Sequence, residues 1–155
     1  MPQIKYITTD HSGLDRIKAL WEGLCKHHHE RSKNFKERYA TMTFESRKKD
    51  LYKKLGNGEM FIELAVDSTS ERSVGYCLSI IVSIPELEGE VESLYIDPAY
   101  RGKGIGDVFM KHAMEWLNSR NVKTKRIVVA AGNEEVYTFY AKYGFYPKFT
   151  TLEQK

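Results

Sequence analysis

The chain has 155 residues, of which 41% are hydrophobic and 29% are charged, with a formal net charge of +3. These values are typical of one globular domain, so we expect a single domain over residues 1–155. The basic residues alternate with acidic ones, which argues against nucleic acid as a partner. Two distant cysteines suggest neither disulfides nor a metal site. Without a long apolar run or a signal-peptide pattern, we expect a cytoplasmic protein with no membrane partner.

Hydrophobic periodicity predicts alternating strands and helices along the chain. Strands are expected at residues 3–8, 60–66, 74–82, 90–96, 127–131 and 145–150. Helices are expected at residues 14–28, 44–55, 105–120 and 133–143, with a short helix or loop at 30–41. An acidic turn containing Pro85 leads into the strand at 90–96. The strand–helix–strand unit from 90 to 131 predicts a parallel pair within an otherwise antiparallel sheet. The expected fold is therefore α/β, with a mixed sheet and helices on both faces.

Residues 94–106 read LYIDPAYRGKGIG and join an apolar strand to a glycine-interrupted turn that opens a helix. The first N–H groups of a helix have no helical partner and carry partial positive charge, so small residues there let an anion approach. The spacing does not fit a dinucleotide loop, which needs G-x-G-x-x-G. It does not fit a P-loop either, because Lys103 is followed by Gly104 rather than by Ser or Thr. The pattern favours another pyrophosphate-containing ligand.

Two segments together resemble a known family. Arg101-x-x-Gly104-x-Gly106 after a strand is similar to the acyl-coenzyme A loop of the GNAT superfamily of N-acetyltransferases. Residues 133–145, NEEVYTFYAKYGF, resemble the family's second coenzyme A segment, in which an Asn opens a helix that ends in aromatic-Tyr-x-Lys-x-Gly-Phe. The resemblance implies the mixed sheet described above, acetyl-coenzyme A as co-substrate and no metal.

The resemblance also implies which residues hold the cofactor. The backbone of the strand ending at 96 would pair with the pantetheine arm, and the loop N–H groups would bind the pyrophosphate. The implied cofactor residues are Leu94, Tyr95, Ile96, Arg101, Gly102, Lys103, Gly104, Ile105, Gly106 and Asn133. Core packing is the alternative reading for the apolar members, and a solvated surface charge is the alternative for the two basic ones.

Acetyl transfer from a thioester to an amine requires a base for the ammonium proton and an acid for the departing thiolate. Tyr140 occupies the tyrosine position of the second segment and is the candidate acid, with core packing as the alternative. Glu92 matches a carboxylate that serves as base in some relatives, with an exposed structural carboxylate as the alternative. Strand alternation places Glu92 on the same face as Leu94 unless a bulge shifts the register. The run from His27 to His29 does not suit a metal, because consecutive helical side chains point about 100° apart.

The predicted function is acetyl transfer to a primary amine by direct attack in a ternary complex, and the alternative is a non-catalytic module that binds acyl-coenzyme A. The acceptor is a small-molecule or peptide amine. Four glutamates at positions 86, 88, 90 and 92 favour a cationic acceptor such as a polyamine, a lysine side chain or a protein N-terminus, unless they are merely solvated. Members of the resembled family often end in two C-terminal strands, but few residues follow Gly144 here, so we expect the sheet to be either trimmed or completed by a second subunit in a homodimer.

Overall fold

The computed structural model describes residues 2–83 and 86–155, so the predicted turn at Pro85 lies outside the described residues. Within these ranges the strands are β1 (Ile4–Thr9), β2 (Glu59–Asp67), β3 (Arg72–Val82), β4 (Glu88–Ile96) and β5 (Thr124–Ile127). The α-helices are α1 (Lys18–Arg31), α2 (Lys36–Thr41), α3 (Phe44–Leu55), α4 (Ile105–Ser119) and α5 (Tyr137–Ala141). Short 3₁₀ turns precede α1 and α5 and follow β4. Among the helices that the structure describes, none combines the length and apolarity that crossing a membrane requires.

The strands form one sheet in the order β1-β2-β3-β4-β5. The first four pair antiparallel with their neighbours, and β5 pairs parallel with β4. A parallel neighbour needs a crossover of a dozen or more residues, which α4 supplies between these two strands. The predicted mixed, mostly antiparallel sheet is confirmed.

Helices cover both faces of the sheet. Side chains alternate between the two faces along each strand, and here each face carries its own set of apolar residues. On one face, Trp21 of α1 and Leu51 of α3 are buried in a cluster with Tyr76 and Leu78 of β3. On the other face, Phe109 of α4 is buried with residues of β3 and β4, and side chains from α5 pack against that cluster. The predicted arrangement of helices on both faces therefore follows from two separate apolar layers.

Two predicted strands are wrong. The apolar run at residues 127–131 predicts a strand, but β5 ends at Ile127 and Val128 is 71% exposed. Residues 145–150 are not a strand: Phe145 packs against the sheet, and from Tyr146 onward the chain is exposed and irregular. A strand needs a neighbour for its backbone groups, and composition alone does not reveal whether one is present. A homodimer that completes this edge stays a prediction.

Candidate active site

An opening between β4 and β5 is the central feature of the candidate site. The ladder between the two strands ends at the pair Val91 and Ile127. Beyond it, residues 92–96 and residues 128–132 belong to no common ladder in the described part of the chain. The β4 backbone therefore has peptide groups on this side that a ligand amide can bind. We call the space between residues 92–96 and residues 128–132 the opening.

A β-bulge lies where the opening begins. Val91 pairs with Ser79 and Ser93 pairs with Leu78, so Glu92 is an extra residue in β4. The bulge moves residues beyond it to the opposite face relative to a regular strand. Glu90 and Glu92 consequently lie on the face covered by α3, whereas Leu94 packs on the face of α4. Of the two alternatives that the sequence left open, a regular strand or a shifted register, the structure shows the bulge that shifts the register.

The glycine loop lies at one end of the opening. Gly102 and Gly104 have φ of +74° and +84°, a region that favours glycine, and Gly104 is the N-cap residue that directly precedes α4. The Arg101 side chain anchors the loop, because its Nε donates to the Ile96 carbonyl at 2.8 Å and its guanidinium lies 5.4 Å from the centre of the Tyr95 ring. The first N–H groups of α4 are thereby held beside the end of β4.

The other loop residues differ in exposure. Lys103 is exposed, whereas Ile105 is buried in the layer beneath α4 and contributes its backbone to the first helical turn. A Cβ on Gly106 would lie 3.1 Å from the Phe139 ring, so this glycine allows α5 to approach α4 closely. The loop and the second predicted cofactor segment are therefore in contact.

Tyr140 lies on the α4 side of the sheet. Its ring packs against the cluster that includes Cys77, whose β4 partner in the register is Leu94. Burial, and secondarily the nearby Cys77, raise the pKa of the Tyr140 hydroxyl above its ordinary value. Within the described residues the hydroxyl has no hydrogen-bond partner. The phenol is thus neutral at physiological pH and able to donate a proton or hydrogen bond.

Glu92 is held by two cations of α3. Its side chain is 7% exposed; one carboxylate oxygen accepts from Arg47 and the other from Lys54 at 2.8 Å. Burial alone would raise the pKa of Glu92, but the Lys54 hydrogen bond and the Arg47 charge outweigh it and hold the pKa below its usual value. Lys54 also reaches Glu90 at 2.6 Å. The periodicity of the sequence did not predict that Arg47 and Lys54 contact Glu92, because these contacts depend on how α3 packs on the sheet.

Asn133 lies at the far side of the opening, where it contacts α1. Its amide oxygen is 3.3 Å from Nε2 of His27. One residue earlier, the Gly132 backbone is so close to α1 that a Cβ there would lie 2.3 Å from the Arg31 carbonyl oxygen. Sequence reasoning considered His27 only as a metal ligand and gave no indication of this contact.

Comparison with known proteins fits this arrangement. A sequence model of the Acetyltransferase (GNAT) family matches residues 21–145. The chain belongs to the GNAT family. Uncharacterized N-acetyltransferases of Methanocaldococcus jannaschii and Archaeoglobus fulgidus are 30% and 38% identical over 59 and 53 residues, which is 38% and 34% of this chain. These matches span only 26% and 36% of the two relatives.

The likeness in fold extends over the whole chain. The crystal structure of a GCN5-related N-acetyltransferase from Ralstonia eutropha superposes with a TM-score of 0.75 at 16% identity and covers 99% of each chain. At that identity the superposition supports the GNAT fold, and it does not specify a substrate.

Proposed function

We propose that this GNAT domain transfers an acetyl group from acetyl-coenzyme A to a primary amine by direct attack in a ternary complex. The observation that carries the proposal is the divergence of β4 from β5 at the Glu92 bulge, beside the N-terminus of α4. An extended arm with amide groups can enter such an opening and pair with a strand, while its pyrophosphate meets the helix N-terminus.

Different residues around the opening would bind different parts of acetyl-coenzyme A. We assign the backbone of residues 94–96 to pairing with the pantetheine arm and the N–H groups of residues 101–106 to binding the pyrophosphate. Lys103 is exposed within this loop, and its positive charge would favour binding of the phosphates. Asn133 borders the arm from the opposite side of the opening.

In the transfer, the amine nitrogen bonds to the thioester carbon and the carbon–sulfur bond breaks. The Tyr140 hydroxyl would donate its proton to the departing thiolate, which its neutral state permits. The ammonium proton has to leave before attack, because a free amine attacks and an ammonium does not. Glu92 is the base expected from sequence, but its oxygens are occupied by Arg47 and Lys54, which weighs against that role. We assign Glu92 to fixing α3 against the bulge.

Ion pairs weaken the expectation, based on the four glutamates at positions 86 to 92, that the acceptor is a strongly cationic molecule. Glu90 and Glu92 are paired with cations of α3, and Arg126 of β5 lies 3.9 Å from Glu90. An amine near the bulge would therefore meet a largely neutralised surface. We propose a primary amine as the acceptor class, without a requirement for additional positive charge.

The test measures thiol release from acetyl-coenzyme A with a panel of amines that includes spermidine, glucosamine, a lysine peptide and a peptide with a free N-terminus. We expect turnover above background with at least one acceptor. Binding of acetyl-coenzyme A with no release for any amine would instead support the alternative, a module without turnover. Absence of binding would refute both readings of the opening.

A further inference from the structure

Helix α1 contacts both sides of the opening through residues one turn apart. A Cβ on Gly23 would lie 2.9 Å from the Tyr95 hydroxyl oxygen, so this part of the helix directly contacts the β4 side. Four residues later, on the same helix face, His27 contacts Asn133 on the β5 side. The His27 imidazole therefore contacts one residue that borders the proposed path of the pantetheine arm and lies one helical turn from the Gly23 contact with the other.

We propose that His27 is the general base that removes the proton from the acceptor ammonium. The inference rests on the proposed acetyl transfer and adds to it the identity of the proton acceptor. An imidazole suits this task, because one nitrogen of the neutral ring keeps a lone pair that can accept a proton.

The contact with Asn133 determines which ring nitrogen is available. An amide oxygen only accepts hydrogen bonds, so the His27 Nε2 that faces it carries the hydrogen and donates. Nδ1 of the neutral ring then keeps its lone pair for a proton. Asn133 would thus be a positioning residue for the imidazole as well as a neighbour of the cofactor arm.

Other titratable groups near the opening are less suited to act as the general base. Both oxygens of Glu92 are held by cations, and Glu90 is bound by Lys54. His28, next to His27 on α1, has a buried Nδ1 with no hydrogen-bond partner among the described residues, and burial lowers the pKa of His28 to about 4. It is therefore neutral and enclosed at physiological pH.

The charges around His27 are largely paired. On α1, Arg31 lies one turn further and bonds to Glu135 of the following segment at 3.0 Å. Glu134 of that segment accepts from the Gly132 N–H at 3.0 Å. From β4, Arg101 is engaged by the Ile96 carbonyl and the Tyr95 ring. The charged side chains named here are therefore engaged by partners other than the His27 ring.

The two proposed proton-transfer groups lie on opposite faces of the sheet. His27 belongs to α1, which covers one face, and Tyr140 to α5, which packs on the other. The ammonium proton passes to His27 Nδ1, the amine nitrogen bonds to the carbonyl carbon, and the carbon–sulfur bond breaks. The sulfur receives the Tyr140 proton. The imidazolium then loses a proton to solvent and the tyrosinate regains one, which closes the balance.

The test compares pH–rate profiles of kcat/KM for wild type, His27→Gln and His29→Gln, using the best amine of the panel. His29 is on the same helix but lines a groove with α2 away from the opening, so it is the matched control. We expect His27→Gln to lower kcat/KM about 10²-fold at pH 7, as for loss of a general base. We expect it to remove the acidic limb of the profile, which His29→Gln retains. An acidic limb unchanged in His27→Gln would overturn the proposal.

Calorimetry with acetyl-coenzyme A separates a catalytic role from a cofactor-binding one. Gln can still donate to Asn133, so His27→Gln is expected to bind acetyl-coenzyme A within about threefold of wild type. A loss of affinity above tenfold would assign His27 to cofactor binding and overturn its role as base. If wild type acetylates no amine, the proposed function itself fails. If wild type turns over and His27→Gln matches it, only this inference fails.

Discussion

Replacing Tyr140 with Phe separates packing from chemistry, because the hydroxyl has no hydrogen-bond partner within the described residues. The ring and its contacts with the α4 layer are retained. No intramolecular hydrogen bond, usually about 1 kcal/mol, is lost, so the free energy of unfolding should change by less than about 1 kcal/mol. For a chain of this length that corresponds to a melting-temperature shift of at most about 4 °C. Stability should therefore be nearly unchanged.

Turnover should respond very differently. If the hydroxyl protonates the thiolate, kcat should fall about 10²-fold, which is about 2.7 kcal/mol in activation free energy. Steady-state thiol release measures kcat, titration calorimetry measures acetyl-coenzyme A affinity, and thermal unfolding measures stability. We expect only kcat to change.

Tyr143→Phe is the matched control. The Tyr143 hydroxyl donates to Asp107, so this variant loses a hydrogen bond that Tyr140→Phe does not lose. We expect a small loss of stability and a kcat within about threefold of wild type, since only a group in the reaction changes the barrier. A wild-type kcat in Tyr140→Phe, or equal losses in both variants, would refute the role of Tyr140.

Three further predictions follow from the loop, the ion pairs and the α1 contact. Gly104→Glu should abolish acetyl-coenzyme A binding in calorimetry, whereas Gly104→Ala, with the same backbone strain but no charge, should retain part of it; equal losses would exclude the anion argument. The pKa of Glu92 is lowered, so its stabilising contribution is present above pH 4.5 and is lost as pH falls through the folded-state value. Urea unfolding from pH 6 to 3 should therefore show a shallower loss of stability in Glu92→Gln than in wild type, and identical slopes would contradict the ion pairs. Gly132→Ala should lower the free energy of unfolding by about 2 kcal/mol or more, because the added Cβ would clash with the Arg31 carbonyl and the residue would also have a strained backbone conformation. Gly144→Ala, the control, adds only the backbone strain. Equal melting temperatures of the two variants would refute the close approach of Gly132 to α1.

Much of the fold follows from local patterns. The period of apolar residues predicts α3 and α4 and the hairpin of β2 and β3, because each element buries one face or both. The glycine spacing places the loop before α4 for the same local reason. These features need no knowledge of the partner element.

The remaining features depend on pairing across the sheet. Residues 128–131 are apolar and include two β-branched valines, as in a strand, but they diverge from β4 instead of pairing with it. The contact of Arg47 with Glu92 joins residues 45 positions apart, and that of His27 with Asn133 joins residues 106 positions apart. One sequence contains no periodic signal for such contacts, so the site's electrostatics could not be predicted from it.

The extra residue at Glu92 also affects how positions are matched between this chain and its relatives. Side chains alternate along a strand, so one inserted residue reverses the parity of every position after it. At identities below 20%, a gapless alignment across β4 with a protein that lacks the bulge would equate residues on opposite faces. Residues 93–96 should therefore be compared with distant homologues by sheet register, counted from the β3 partner, and not by distance along the sequence.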